Sequence, residues 1–318
     1  MAQTQRIDFI DLAKGICITT IIFGHCGINT YISGADTIPL FFLISGMFFK
    51  MYEETNKFFI KKINGLLIPF CFFYITSYVL FYLIKAFAPH LLITSATGIL
   101  DIFTNRQFFN GPLWFIIALF WCNIIQYSVF KLTNKEAIRI FFIILIGLVG
   151  YILGYLGYFV PMFIDVAMTS LPFFALGYYI NKKTLLIDSK TKNIAVGIIL
   201  LLTLFLIEYR ISLHYNIIEG LNSYIAAFSI AFGILYLCNA INKISYINAL
   251  GRNSLIPLCV HHMIYRPVKV ALQFTNNEII NNDYSVAAIT LLLSILCIPL
   301  CIKTIPWFVA QKDLIKGK

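Results

Sequence analysis

Charge is what this sequence has least of. Only 12% of its 318 residues are Asp, Glu, Lys or Arg, while 60% are hydrophobic; a soluble globular domain carries about a quarter charged. That shortage excludes an ordinary water-soluble domain and places the chain in the membrane class. No long polar linker interrupts the apolar segments, so residues 1–318 read as a single membrane domain. There is no low-complexity tract and no clear internal repeat, which argues against the repeat-built transporter folds. The eight cysteines form no CxxC pair and no Cys/His metal spacing. Nearly all sit inside apolar runs and read as reduced, buried small side chains, and no metal is expected. A secretory leader is also not expected: Asp8 and Asp11 stand where a basic region belongs, with no small-residue cleavage site beyond. The first apolar segment is therefore expected to stay in the mature chain.

What is present is a series of long apolar runs. A helix needs about 20 apolar residues to cross the hydrocarbon core. That ruler gives ten spans, at 12–32, 37–52, 64–88, 112–131, 138–159, 163–181, 194–208, 221–241, 253–272 and 285–309. The second is short and the ninth is interrupted by "HHMIYRP". Run length and the lack of period-two alternation imply helices rather than a barrel. The expectation is an all-α, polytopic helix bundle of about ten transmembrane helices.

The net charge of +10 could point to nucleic acid, but its distribution points to membrane topology. With the N-terminus cytoplasmic, 19 of the 24 basic residues fall on that side, leaving Lys85, Arg106, Arg210, Arg266 and Lys269 on the other. Positive charge collects in cytoplasmic loops, so both termini are expected there; the partner is membrane lipid, not nucleic acid. Three outward loops contain "DIFTNRQFFNGPLW", "YRISLHYNIIEG" and "NNEIINNDY", which either line an acceptor site or are solvated connectors.

The stretch "DLAKGICITTIIFGHC" carries Lys14 near its start and His25 deep in the apolar run. Eleven residues at 100° each put the two within about 20° of one face and roughly 16 Å apart along the axis. A lysine near a helix end also snorkels, and a bundle histidine also serves as a structural hydrogen-bonding group. Ionisable residues at membrane depth nevertheless raise a functional hypothesis by default. This geometry suits a long anionic ligand, phosphates at the mouth and reactive end at the histidine, which is the shape of acyl-coenzyme A.

"IDFIDLAKGICITTIIFGHC" followed by "IPLFFLISGMFF" resembles the opening of the acyltransferase 3 family of membrane acyltransferases, and more narrowly its fucose-4-O-acetylase-like branch. The basic residue, ten-residue gap and histidine of that family match Lys14 and His25. "KKINGLLIPF", "GPLWFIIALFW", "PMFIDVAMTSLPFFALGYYI" and "LGRNSLIPLCVHH" follow in the family's order. The resemblance implies an integral membrane O-acyltransferase moving an acyl group, most commonly acetyl from acetyl-CoA, to a hydroxyl of a cell-surface glycan or lipid-linked saccharide. The implied setting is the bacterial cytoplasmic (inner) membrane. Some members continue into an extracytoplasmic esterase-like domain; this sequence ends at Lys318, and no such fused domain is expected. A lysine at position 14 would hold phosphate as a point charge rather than a bidentate fork.

Acyl transfer to a hydroxyl needs a base. His25 is the candidate, either deprotonating the acceptor or carrying the acyl group itself. Asp165 in "PMFIDVAMTS" either orients His25, binds the acceptor hydroxyl, or is solvated at a helix start. His261 matches the family's histidine and is expected to line the same cavity; His262 points about 100° away and is less favoured. Ser45 and Gly46 are read as close-packing residues. Trp114 is either a sugar-stacking platform or, by composition, an interfacial anchor. Lys61 and Lys62 either assist with CoA phosphates or reflect topology alone. Arg210, with Glu208, is an outward charged pair at a candidate acceptor site. The rival from another class is a transporter or flippase for lipid-linked sugars, which the residues do not exclude.

Overall fold

The computed structural model describes residues 7–28, 30–89, 92, 95–104, 106–180, 189–274 and 281–316. Arg6, Lys182, Lys183 and Lys318 of the charge count, and part of "NNEIINNDY", lie outside the described residues.

The chain begins with α1 (Asp8–His25), α2 (Ile38–Met47) and α3 (Thr55–Lys62), which runs through a π-helical turn into α4 (Ile68–Phe87). A short α5 (Asp101–Thr104) precedes α6 (Trp114–Leu132), α7 (Glu136–Tyr155), α8 (Ile164–Tyr179) and α9 (Lys190–Leu202). A two-residue hairpin, β1 (Ile211–Ser212) and β2 (Ile217–Ile218), pairs Ile211 with Ile218 and Ser212 with Ile217. Then come α10 (Gly220–Ile241), α11 (Ser245–Arg252), α12 (Leu255–Gln273) and α13 (Asp283–Thr304).

Among the described residues, six helical stretches are long and apolar enough to cross a membrane: Thr55–Phe87, Gly111–Leu132, Glu136–Tyr155, Pro161–Tyr179, Gly220–Ile241 and Asp283–Thr304. Large side chains such as Ile75, Val79, Leu83, Phe141, Ile144 and Leu148 are exposed on α4 and α7, the outward apolar face that lipid requires. The four other expected spans are helical, at α1, α2, α9 and α12. They fall short by length at α2 and α9, and by polar content at α1, with Asp8, Asp11 and Lys14, and at α12, with His261, His262, Arg266 and Lys269.

The first helix also ends earlier than expected, at His25 rather than near residue 32. Gly27 adopts φ +97, a backbone region in which other residues are strained. That turn lets Ile28 N–H donate to the Phe23 carbonyl at 3.0 Å and Gly27 N–H to Gly24 at 3.2 Å, a Schellman closure. His25 is thereby the last helical residue, next to a turn.

Small residues set the close crossing of α2 and α8. A Cβ on Gly46 of α2 would lie 1.8 Å from the Phe174 carbonyl oxygen of α8, and one on Gly177 of α8 would lie 1.9 Å from that of Leu43. The two backbones meet through paired glycines, as expected for Gly46, because packing in lipid is won by close approach. Ser45, beside it, faces a cavity instead. All eight cysteines are free; six are buried, Cys297 is half-buried, and Cys71 departs from the expectation by being exposed.

Candidate active site

One cavity contains both Lys14 and His25. It has an empty volume of about 900 Å³ and is walled by α1, α2, α6 and the start of α12, with Trp114, Phe115 and Leu258 among its lining residues. A smaller hollow shares Lys14, Ile44, Ser45, Gly65, Leu66 and Leu119 with it and adds Lys61 and Lys62. The two form a path from three lysines at one end to His25 and Trp114. The helical period had placed Lys14 and His25 on one face; the structure adds a continuous space between them.

The lysines differ in how they are held. Lys14 lies 3.7 Å from the Asp11 carboxylate, whose other oxygen is 3.6 Å from Arg252 Nε, and stands 5.5 Å from the Phe48 ring. Lys62 lies over the rings of Phe49 and Phe58, each at 5.7 Å. Lys61 bonds Asp313 at 2.5 Å on the surface. Cation–π contacts and exposed pairs are weak tethers, so the three ammonium groups can turn toward an anion at the mouth.

At the other end, His25 packs against two imidazoles. Its ring centroid is 5.3 Å from that of His261 and 5.4 Å from that of His262. Neither His261 nor His262 is among the residues lining the cavity; His25 ends its helix and its ring meets both, although they diverge on α12. His261 Nδ1 donates to the Pro257 carbonyl at 2.7 Å, and His262 Nδ1 to the Phe109 carbonyl at 3.1 Å. A carbonyl only accepts, so each Nδ1 carries the proton and each neutral ring leaves Nε2 as a bare acceptor. His261 Nε2 is buried with no partner among the described residues. His25 itself is exposed within the cavity.

The segment between α4 and α6 covers this cluster. Burial pushes the Asp101 carboxyl up, but bonds from Thr97, Tyr78 and the Gly98 N–H outweigh it and hold the group below its ordinary value. From that anchor the chain runs to Phe109, which accepts from His262, and Asn110, whose amide donates to the Cys259 carbonyl at 2.9 Å. Its Arg106 reaches Asp165 at 2.5 Å and the Tyr158 carbonyl at 2.9 Å.

Asp165 is fully buried, so it is not the solvated helix-start residue that sequence left open. Its carboxylate is held by Arg106 and by Asn216 Nδ2 at 3.1 Å; none of its recorded bonds goes to His25. It enters α8 from a turn in which Met162 and Phe163 both take positive φ, 60 and 58, strain that a surrounding structure must impose. Buried Phe163 underlies Trp114 and His214, at 6.0 and 5.7 Å between ring centroids. Trp114 and His214 stack at 5.5 Å with an interplanar angle of 3°, and His214 Nε2 donates to the Arg106 carbonyl at 2.6 Å.

Trp114 is therefore a buried wall of the cavity, 4% exposed, not the interfacial anchor that composition favoured. Arg210 does not join this cavity. Its partner is Glu219 across the hairpin, at 2.7 Å, not Glu208, because the short β1–β2 register brings 210 and 219 together. Arg106, His214 and Asn216 were missed because their roles come from long-range contacts that no local pattern announces. Among the described residues no cluster of His, Cys, Asp or Glu is arranged to hold a metal ion.

A helical bundle with membrane-crossing helices, enclosing a path from lysines to clustered imidazoles, is an integral membrane protein built for group transfer. The family model for the acyltransferase 3 domain, described as an acyltransferase domain, matches residues 7–304. The chain belongs to that family and is a membrane acyltransferase, and the transporter alternative finds no support. Comparison with curated proteins and with solved structures finds no match in either.

Proposed function

We propose that the protein takes an acyl group, acetyl foremost, from acyl-CoA and places it on a hydroxyl of a cell-surface glycan or lipid-linked saccharide. The observation that carries this reading is the single path from Lys14, Lys61 and Lys62 to His25. Three cations at the mouth match the phosphates of CoA, and the apolar walls suit its arm and thioester. The bundle crosses a bacterial cytoplasmic membrane ten times, both termini inside, with the lysine mouth on the cytoplasmic side. The resemblance to the fucose-4-O-acetylase-like branch supports a sugar hydroxyl as acceptor.

His25 acts as general base. It takes the hydroxyl proton as the acceptor oxygen attacks the thioester carbonyl carbon; the carbon–sulfur bond then breaks, and the departing thiolate recovers the proton from the imidazolium. The bare Nε2 of His261 beside it supports proton acceptance over acyl carriage, since it can share the charge that develops. Trp114, stacked on His214, is the platform for the acceptor ring. Asp165 holds the roof through Arg106 rather than touching the reacting atoms.

The test is release of free thiol from acetyl-CoA by the solubilised protein with envelope glycan present, together with acetyl appearing on the glycan. Normal transfer by a folded His25→Ala variant would overturn the role given to His25.

A further inference from the structure

We propose that a second hollow, at the end of α7 beside the β1–β2 hairpin, is a saccharide subsite for acceptor sugar units remote from the reacting hydroxyl; this rests on the acyl-transfer reading above. The hollow has an empty volume of about 900 Å³, and Tyr151, Tyr155, Asn216 and Glu219 line it. None of these residues lines the histidine cavity.

Its chemistry is that of sugar recognition. Tyr151 and Tyr155, one turn apart, present rings inclined by only 22°, with centroids 6.5 Å apart. Tyr155 is 81% exposed, an open aromatic face. Such faces are electron-rich and attract the polarised C–H groups on one side of a pyranose ring. Asn216 is 2% exposed; its Nδ2 is spent on the Gly150 carbonyl and Asp165, each at 3.1 Å. Its Oδ1 is buried and has no partner among the described residues, an unspent acceptor in the wall of the hollow. At the rim the Glu219 carboxylate, paired with Arg210 at 2.7 Å, supplies acceptors next to guanidinium donors. Flat apolar faces with mixed hydroxyl partners suit a polyol. An anionic lipid headgroup would meet the Glu219 carboxylate, which already neutralises Arg210, and an interfacial tyrosine belt would not require a buried amide with an unspent acceptor oxygen.

The hairpin links this hollow to the reaction cavity. His214 stacks on Trp114, a wall of the cavity, and two residues on Asn216 lines the hollow. A saccharide passing the hairpin would place one unit at Trp114 and another at Tyr155.

The test uses the full chain in detergent and oligosaccharides cut from envelope glycan and separated by length. Tyr155→Ala and Glu219→Gln should each weaken binding of the longer oligosaccharides by roughly fivefold. Binding of the shortest, and thiol release from acetyl-CoA with it, should be unchanged, and Tyr155→Trp should keep long-chain binding. Equal binding of long oligosaccharides by parent and variants overturns the proposal, as does an equal loss for long and short ones. Loss of a co-purifying phospholipid in the variants, without loss of oligosaccharide binding, assigns the hollow to lipid and also overturns it. Length-dependent binding by a parent chain that releases no thiol would instead mark failure of the acyl-transfer reading.

Discussion

His25 and His261 face each other with ring centroids 5.3 Å apart, and the Nδ1 proton of His261 is fixed on the Pro257 carbonyl. One ring opens to the cavity and the other presents a bare nitrogen behind it. If His25 is the base, His25→Ala should lower thiol release by roughly 10²- to 10⁴-fold. The variant should unfold at nearly the parent temperature, because His25 lies at a helix end. Rapid quenching with labelled acetyl-CoA should leave no label on the parent protein; label on His25 would replace the base role with an acyl-enzyme.

Lys14 should act on donor binding rather than on chemistry. Lys14→Ala is expected to raise KM for acetyl-CoA several-fold with little change in kcat, the pattern left when binding common to ground and transition states is lost. Lys14→Arg should keep most of the affinity, and the KM of the parent should rise with salt. Unchanged KM in Lys14→Ala would move the phosphate site away from this mouth.

Lys14 and His25 show how much of the site was readable in the sequence. Both lie on one helix, so the helical period fixes their relative direction, and apolar run length locates ten helices, of which six among the described residues are long and apolar enough to cross a membrane. The roof of the site was not readable. Arg106 and Asp165 meet across 59 residues, and His214 reaches Trp114 only because the hairpin folds back. The contact of His262 with His25 was not readable either: its direction on α12 follows from the helical period, but His25 stands where it meets both rings. Arg210 was given the wrong partner for a related reason, since register pairs it with Glu219 and chain proximity does not.

The Asp165–Arg106 pair is buried, with side-chain exposures of 0% and 14%, and breaking such a pair strands a charge. Asp165→Ala should cost about 3–5 kcal/mol of stability, visible as a lower unfolding temperature in detergent. Pairing it with Arg106→Met should recover part of that loss, because no unpaired charge is then left behind. A double variant less stable than Asp165→Ala would show that Arg106 is held by other groups.

The α2–α8 crossing gives a sharper packing test. A Cβ on Gly46 would sit 1.8 Å from a backbone oxygen, which cannot turn aside as a flexible side chain can. Gly46→Ala must push the helices apart, at a cost of about 1–3 kcal/mol. Gly65, whose added Cβ meets nothing within 4 Å, is the control: Gly65→Ala should keep or raise the unfolding temperature, since alanine favours the helix.

His214 makes the roof sensitive to acid. Burial pushes its imidazole down to about 4 from the ordinary 6.5; the bond to the Arg106 carbonyl opposes this, and the Arg106 charge adds to it. Between these values the unfolded chain binds the proton and the folded chain does not, so stability rises with pH across that window. The contribution is fully present above about 6.5 and is lost as pH falls toward about 4. Unfolding temperature should therefore drop as pH is lowered from neutrality, and His214→Gln should flatten that slope. The other histidines are common to both proteins, so the difference between the two slopes isolates His214. Trp114 stacks on this ring, so its fluorescence should be quenched in the parent, and not in the variant, as pH falls through about 4, where the folded chain takes the proton. Parallel slopes would place the acid sensitivity elsewhere, while a flattened slope would tie it to the residue stacked on Trp114.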